Sequence, residues 1–240
     1  MLGATATVAQ DYDREARWAT DTLATLIEGR AVRVEQANGH RFLALYTVAR
    51  RVAAPRGAVI VAHGRGWAPD VDLYGELRGR LADAGYSTLS IQLPVLPGTA
   101  KLGDYVDIFP DSRERFAQAV DWLRKRGYTR VAIVSHSLGA TMANDYLIRA
   151  TDGKVGAWVF ISILNGLEDM FRIHIPVFDI YAEQDWNVIV TGADERAKQI
   201  ARVPGSQQVM LPGAQHFFEG RREELTRLVV RFLDGAFEAR

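Results

Sequence analysis

Ser137 sits at the centre of the pentapeptide Ser135-His136-Ser137-Leu138-Gly139, between the apolar run Val131-Ala132-Ile133-Val134 and a helix-like stretch that starts near Ala140. A strand, a sharp turn and a helix can hold a serine hydroxyl out at the top of a sheet. Small residues two before and two after the serine let the two backbones approach closely. The strict pattern is G-x-S-x-G, and here Ser135 takes the first position. The chemistry such a serine offers is nucleophilic attack on a carbonyl. A serine hydroxyl is too weak for this at neutral pH without an adjacent base. Five histidines could supply one: His40, His63, His136, His174 and His216. His136 adjoins the serine, where its ring is poorly placed to reach the hydroxyl.

The elements that must position these groups can be read from periodicity. Residues Asp11 to Glu28 form a polar, amphipathic helix carrying Trp18 and Leu23. Ala31 to Glu35 and Arg41 to Val48 alternate apolar and polar residues around Asn38-Gly39, a hairpin signal. From Ala58 the rhythm becomes strand, helix, strand. Ala58 to Ala62 is continuously apolar, as in a strand buried on both faces. Leu73, Leu77, Leu81 and Ala84 share a helix face that Gly85 ends. Ser87 to Leu93 is a strand. Asp111 with Glu114 has the spacing of a capping box opening a helix with Phe116, Ala119, Val120 and Leu123 inward. After Ser137 a helix runs to about Ala150. Strands follow at Ala157 to Leu164, Val177 to Ala182 and Gln207 to Leu211, with a helix near Ala193 to Ala201 and a final amphipathic helix carrying Leu225, Leu228, Val229, Phe232 and Leu233. Such alternation implies a mostly parallel sheet covered by helices on both faces. Pro94 to Phe109 lacks periodicity and follows a strand's C-terminal end, where α/β ligand sites form.

Composition narrows the classes. The chain has 240 residues, 48% hydrophobic and 24% charged, with 29 basic and 29 acidic side chains balancing to zero. Neutrality gives no argument for a nucleic-acid partner or an anionic membrane surface. With no cysteine, disulfides, thiolate metal sites and a cysteine nucleophile are excluded. No apolar run reaches transmembrane length, and no H-x-x-x-H or H-E-x-x-H metal spacing occurs. Met1 to Gln10 lacks the basic and apolar regions of an intact signal peptide, but Thr7-Val8-Ala9 loosely matches the small-residue end of a cleavage site. The compartment is therefore read as cytoplasmic, or as periplasmic or secreted if this is a cleaved remnant.

The hairpin, the strand–helix units, His63-Gly64 after the first parallel strand, the serine turn and a late Asp and His together resemble the α/β-hydrolase superfamily. The resemblance runs in order from about Val32 to the C-terminus. It implies a mostly parallel sheet with an N-terminal antiparallel hairpin, residues 31–240 as the hydrolase domain and residues 1–30 as a helical extension.

What the resemblance implies for the site can be placed residue by residue. Ser137 is the nucleophile, and His216, between the last strand and last helix, is the base. Asp185, in the loop after Val177 to Ala182, is the acid that orients it, with Glu183 the nearest competitor. Oxyanion donors are the main-chain N–H groups of Leu138 and of Arg65 in His63-Gly64-Arg65-Gly66-Trp67. Trp67, Trp186 and Phe217 are expected to line an apolar substrate pocket, with Tyr105, Phe109 and Phe218 nearby. About twelve residues, Asn165 to Pro176, occupy the place of an inserted lid, so no large cap domain is expected. The implied activity is hydrolysis of a small-molecule carboxylic ester through an acyl-enzyme, without cofactor or metal. A thioesterase, peptidase or acyltransferase on the same residues, and a binding protein that kept the fold, are the alternatives. The oligomeric state is open.

Overall fold

An antiparallel hairpin opens the sheet in the computed structural model, which describes residues 9–164 and 166–238. Thr7 and Val8 of the cleavage-like motif, and Asn165 at the start of the short lid-position segment, lie outside the described residues. Strands β1 (Arg30–Glu35) and β2 (Arg41–Thr47) pair from Arg30 opposite Tyr46 to Glu35 opposite Arg41. The turn between them places Gly39 at φ +83°, a conformation glycine adopts without the Cβ clash. The remaining strands are β3 (Gly57–Ala62), β4 (Tyr86–Ile91), β5 (Val131–His136), β6 (Ala157–Ile161), β7 (Val177–Ala182) and β8 (Gln207–Leu211). Their order across the sheet is β1-β2-β4-β3-β5-β6-β7-β8. β2 runs antiparallel to β4, and every pair from β4 onward is parallel.

Strand periodicity divides the core in two. Ala58, Ile60 and Ala62 face one layer with helices α3 (Phe109–Arg124) and α4 (Leu138–Leu147). Val59 and Val61 face the other, with α2 (Leu73–Asp83) and α7 (Arg222–Glu238). Successive side chains point to opposite faces of a strand, so a continuously apolar run is what a strand buried on both faces requires. Short helices α5 (Asn187–Thr191) and α6 (Ala193–Ile200) flank β7 and β8.

The amphipathic N-terminal stretch forms α1 (Tyr12–Thr25), where the Asp11 carboxylate caps the Arg14 amide at 2.8 Å. It ends three residues before the expected Glu28, whose carboxylate instead pairs with Arg50 at 2.5 Å. Its firmest attachment is Glu15. That side chain is buried and takes two bonds from the fully buried Arg115 of α3, at 3.0 and 2.9 Å. His40 in the hairpin turn reaches the same carboxylate at 3.0 Å.

The Asp111–Glu114 capping box does not form. Helix α3 starts earlier, at Phe109 with Pro110 in its first turn, where proline's fixed φ suits a helix start and its missing N–H is no loss. Glu114 turns away to the hairpin, accepting from the Ala37 amide and, at 3.2 Å, from Gln36. The aperiodic loop after β4 holds a 3₁₀ helix over Leu102–Ile108, whose threefold repeat over one short segment gives no amphipathic signature. β6 stops at Ile161 rather than Leu164 because Ser162 turns to φ +49°.

Candidate active site

Strand β5 ends at His136 and α4 begins at Leu138, so Ser137 carries the whole reversal, at φ 54° and ψ −126°. A side chain held there projects away from both elements, and the strain is retained only because the surroundings enforce it. Gly139 shows how tight the turn is: a Cβ there would lie 2.2 Å from the His63 carbonyl oxygen. Ser135 departs from the usual glycine without disturbing the turn. Its buried hydroxyl accepts from the Trp158 indole at 2.9 Å, so the extra polar group is satisfied.

The three side chains expected to act together are brought together. Ser137 Oγ lies 3.2 Å from His216 Nε2, and His216 Nδ1 lies 2.7 Å from Asp185 Oδ1. The Asp185 carboxyl is held below its ordinary range. Burial alone would raise it, but hydrogen bonds from His216 and Ser162, the imidazole's charge and the Trp186 amide outweigh that. An ionised Asp185 accepts from Nδ1–H, which leaves Nε2 free as acceptor for the serine hydroxyl. Glu183 is not in this line. Its exposed side chain accepts from the Gly213 amide at 2.8 Å instead.

Ser162 and Tyr74 complete the arrangement, and sequence reasoning gave neither a part in it. The Ser162 hydroxyl donates to Asp185 Oδ2, occupying the oxygen that His216 does not use. Its only sequence signal is a lone hydroxyl at the end of the apolar run Ala157 to Ile161. Tyr74 links the two loops that flank Ser137. Its hydroxyl oxygen accepts from the Gly64 amide at 2.8 Å and its O–H donates to His136 Nδ1 at 2.8 Å. His136 Nε2–H donates in turn to the His216 carbonyl at 2.9 Å. No local pattern marks Tyr74, which reads as one more apolar position on α2. Burial, with the nearby His216 charge, pushes the His136 pKa down to about 3, so this link stays neutral. His63 is equally fixed. It donates to the Gly64 carbonyl at 2.8 Å and accepts from the Leu93 amide at 2.9 Å, with burial lowering its pKa to about 4.

Leu138 is the first residue of α4, so its N–H has no intrahelical acceptor. The His-Gly loop lies directly against the serine turn, since a Cβ on Gly64 would sit 3.1 Å from Ser137 Cβ. Above Ser137 opens a cavity of about 280 Å³ whose wall includes Arg65, Trp67, Trp186 and Phe217. Trp186, 52% exposed, stacks on the His216 ring with centroids 4.1 Å apart and planes 13° from parallel. Tyr105 also lines the cavity. The other two aromatics do not: Phe218 is fully buried in the core and Phe109 lies in α3. His174 is exposed and is not part of the cavity wall. Among the described residues no three His, Asp or Glu side chains are grouped to hold a metal ion, and no helix is long and apolar enough to cross a membrane.

Comparison with solved structures places this architecture. Est1E from Butyrivibrio proteoclasticus superimposes with a TM-score of 0.69 at 16% identity, over 88% of this chain and 100% of that one. The esterase Pf2001 from Pyrococcus furiosus gives 0.68 at 17%, over 86% and 92%. An α/β serine hydrolase without lid from Xanthomonas campestris gives 0.65 at 16%, over 87% and 94%. The chain has the α/β-hydrolase fold without a large cap domain. A family model described as a protein of unknown function, DUF3530, matches residues 5–105, a span that includes α1 and the His-Gly loop but none of Ser137, Asp185 and His216. No curated protein matches the sequence.

Proposed function

We propose that this protein is a serine hydrolase that cleaves small carboxylic esters through an acyl-enzyme. The observation that carries the reading is the hydrogen-bonded line Asp185–His216–Ser137, with the serine at a strained strand-to-helix turn on the floor of a cavity. Ser137 Oγ attacks the ester carbonyl carbon while His216 Nε2 takes the hydroxyl proton. Asp185 holds the ring in the required tautomer and stabilises the imidazolium. The negative charge on the former carbonyl oxygen is met by the Leu138 and Arg65 amides. Collapse of the tetrahedral adduct breaks the bond to the alcohol oxygen, which receives the proton from His216. Water, deprotonated by the same Nε2, then cleaves the acyl–Ser137 bond and returns the serine hydroxyl.

Trp186 stacks on the His216 ring and Phe217 meets it at right angles, at 4.1 and 5.1 Å between centroids. They keep its rotation small and contribute apolar wall. The test is labelling with a fluorophosphonate followed by mapping of the modified peptide, with turnover of an aryl acetate measured in parallel. Modification of Ser137, and loss of both labelling and turnover in Ser137→Ala, is expected. Turnover in Ser137→Ala near the wild-type rate would overturn the assignment.

A further inference from the structure

Two guanidinium groups, from Arg14 and Arg65, line the cleft above Ser137, and no carboxylate stands on the same wall. We propose that the substrate carries an anionic oxygen group, of carboxylate or phosphate type, close to the ester that is cleaved, and that Arg14 and Arg65 receive it. The inference rests on the serine-hydrolase reading and names the substrate class of that site.

The two side chains come from distant parts of the chain and are fixed on one support. Arg14 Nη1 donates to the Leu96 carbonyl and Arg65 Nη2 to the Ala100 carbonyl, each at 2.6 Å. Each guanidinium also rests over an aromatic ring, Arg14 on Trp18 at 4.6 Å and Arg65 on Tyr105 at 5.6 Å. A guanidinium has five N–H donors in a planar fork, and one of each set is used on these carbonyls. Among the described residues neither group forms an ion pair. The carboxylates near Arg14 in sequence face elsewhere: Asp13 is exposed, Glu15 is held by Arg115, and Asp11 accepts from the Arg14 main-chain amide at 2.8 Å. The chain as a whole is neutral, so this is a local concentration of positive charge and not part of a general excess.

The anchoring of α1 gives the arrangement its rigidity. Glu15, the residue after Arg14, is locked by Arg115 in the buried two-bond pair. A helix fixed there cannot withdraw Arg14 from the cleft without breaking a buried pair, which is strongly destabilising. Pre-positioned forks match carboxylate and phosphate oxygens with two parallel bonds. A cavity of about 280 Å³ suits a small acid.

The experiment compares charged esters with neutral counterparts: phenyl hydrogen adipate with phenyl hexanoate, and 4-acetoxybenzoate or 4-acetoxyphenyl phosphate with methyl 4-acetoxybenzoate. At least one charged ester should exceed its counterpart about tenfold or more in kcat/KM, mainly through KM, as expected for a charge-assisted hydrogen bond. High salt should shrink that preference. Arg14→Gln should lower the charged-to-neutral ratio about tenfold, with Arg65→Gln acting in the same direction and circular dichroism reporting that both are folded. Equal or better turnover of every neutral ester, or a ratio untouched by both substitutions, overturns the anion site and leaves the hydrolase reading standing. Tryptophan fluorescence titrations with adipate and with inorganic phosphate separate the other failure. Saturable binding that Arg14→Gln abolishes, without turnover of any ester, supports the anion site and overturns the hydrolase reading. Neither binding nor turnover overturns both.

Discussion

Strand β7 and the loop that follows it each carry a buried carboxylate, and the two are handled in opposite ways. Asp179, inside the strand, is fully enclosed and answered by a fixed cation: Arg196 donates at 2.7 Å and Gln208 at 2.8 Å to the same oxygen, Oδ2. Its other oxygen has no partner, and burial pushes its pKa up against the pull of Arg196 and Gln208. Asp185, just past the strand's C-terminal end, is answered on both oxygens by donors that lead to the cleft. One carboxylate ties α6 to the sheet; the other orients a titratable ring. The histidines divide the same way. The rings of His136 and His216 lie 4.6 Å apart, yet both nitrogens of His136 are used by Tyr74 and a carbonyl, while His216 keeps Nε2 for Ser137. Burial alone therefore does not mark a working group. What marks it is a partner set that leaves one atom facing the cavity.

Asp185→Asn should break this contrast most sharply. The amide favours the tautomer that protonates Nε2, and we expect a loss of about 10⁴-fold in ester turnover with the unfolding midpoint in urea almost unmoved. Asp179→Asn should do the reverse. It leaves Arg196 buried beside a neutral amide, which costs about 3–5 kcal/mol of stability, while turnover per folded molecule stays within a fewfold of wild type. If Asp179→Asn instead removes turnover and spares stability, the division between the two carboxylates is wrong.

The fixed histidines predict the acid limb of stability. His63 and His136 take up protons in the unfolded chain below about pH 6.5, but in the folded protein only near about 4 and about 3. The unfolded state then binds more protons, so stability falls as pH drops from about 6.5 towards 4, by up to about 1.4 kcal/mol per pH unit for each group. Urea midpoints measured across that range give the slope, and His63→Asn should remove about half of it. An unchanged slope would mean that other groups govern acid unfolding.

The smallest expected effect belongs to Ser162. Removing its hydroxyl in Ser162→Ala takes one hydrogen bond from the Asp185 carboxylate, worth about 1.5 kcal/mol for a bond to a charged group, or about tenfold in kcat. The ester pH profile should shift at the same time, since the base is then oriented by a less stabilised acid. A variant with wild-type kcat and pH profile would show that Ser162 only packs against Asp185.

Where a residue's signal is local, the sequence carried it. The turn around Ser137 is written in five adjacent residues, because small neighbours and a strand–helix junction are what a positive φ at a serine requires. The strand–helix rhythm was equally plain, since burial on both faces of a central strand demands a continuous apolar run. Signals failed where a distant group competed for a local one. Glu114 has capping-box spacing, yet the hairpin amides of Gln36 and Ala37 take its carboxylate, and Pro110 starts the helix before it is needed. The choice of Asp185 over Glu183 followed from a resemblance; in the fold it follows from which carboxylate can reach an imidazole 31 residues away.

The sequence by itself determined the layers, the hairpin and the turn that exposes Ser137, all products of periodicity and short-range sterics. Only the tertiary structure decided that Ser162 meets Asp185, that Tyr74 joins the His-Gly loop to His136, and that Arg14 reaches across 82 positions to the Leu96 carbonyl. Those contacts depend on how strands stack and where α1 docks. No spacing along the chain encodes them, because the partners become neighbours only after the core has closed.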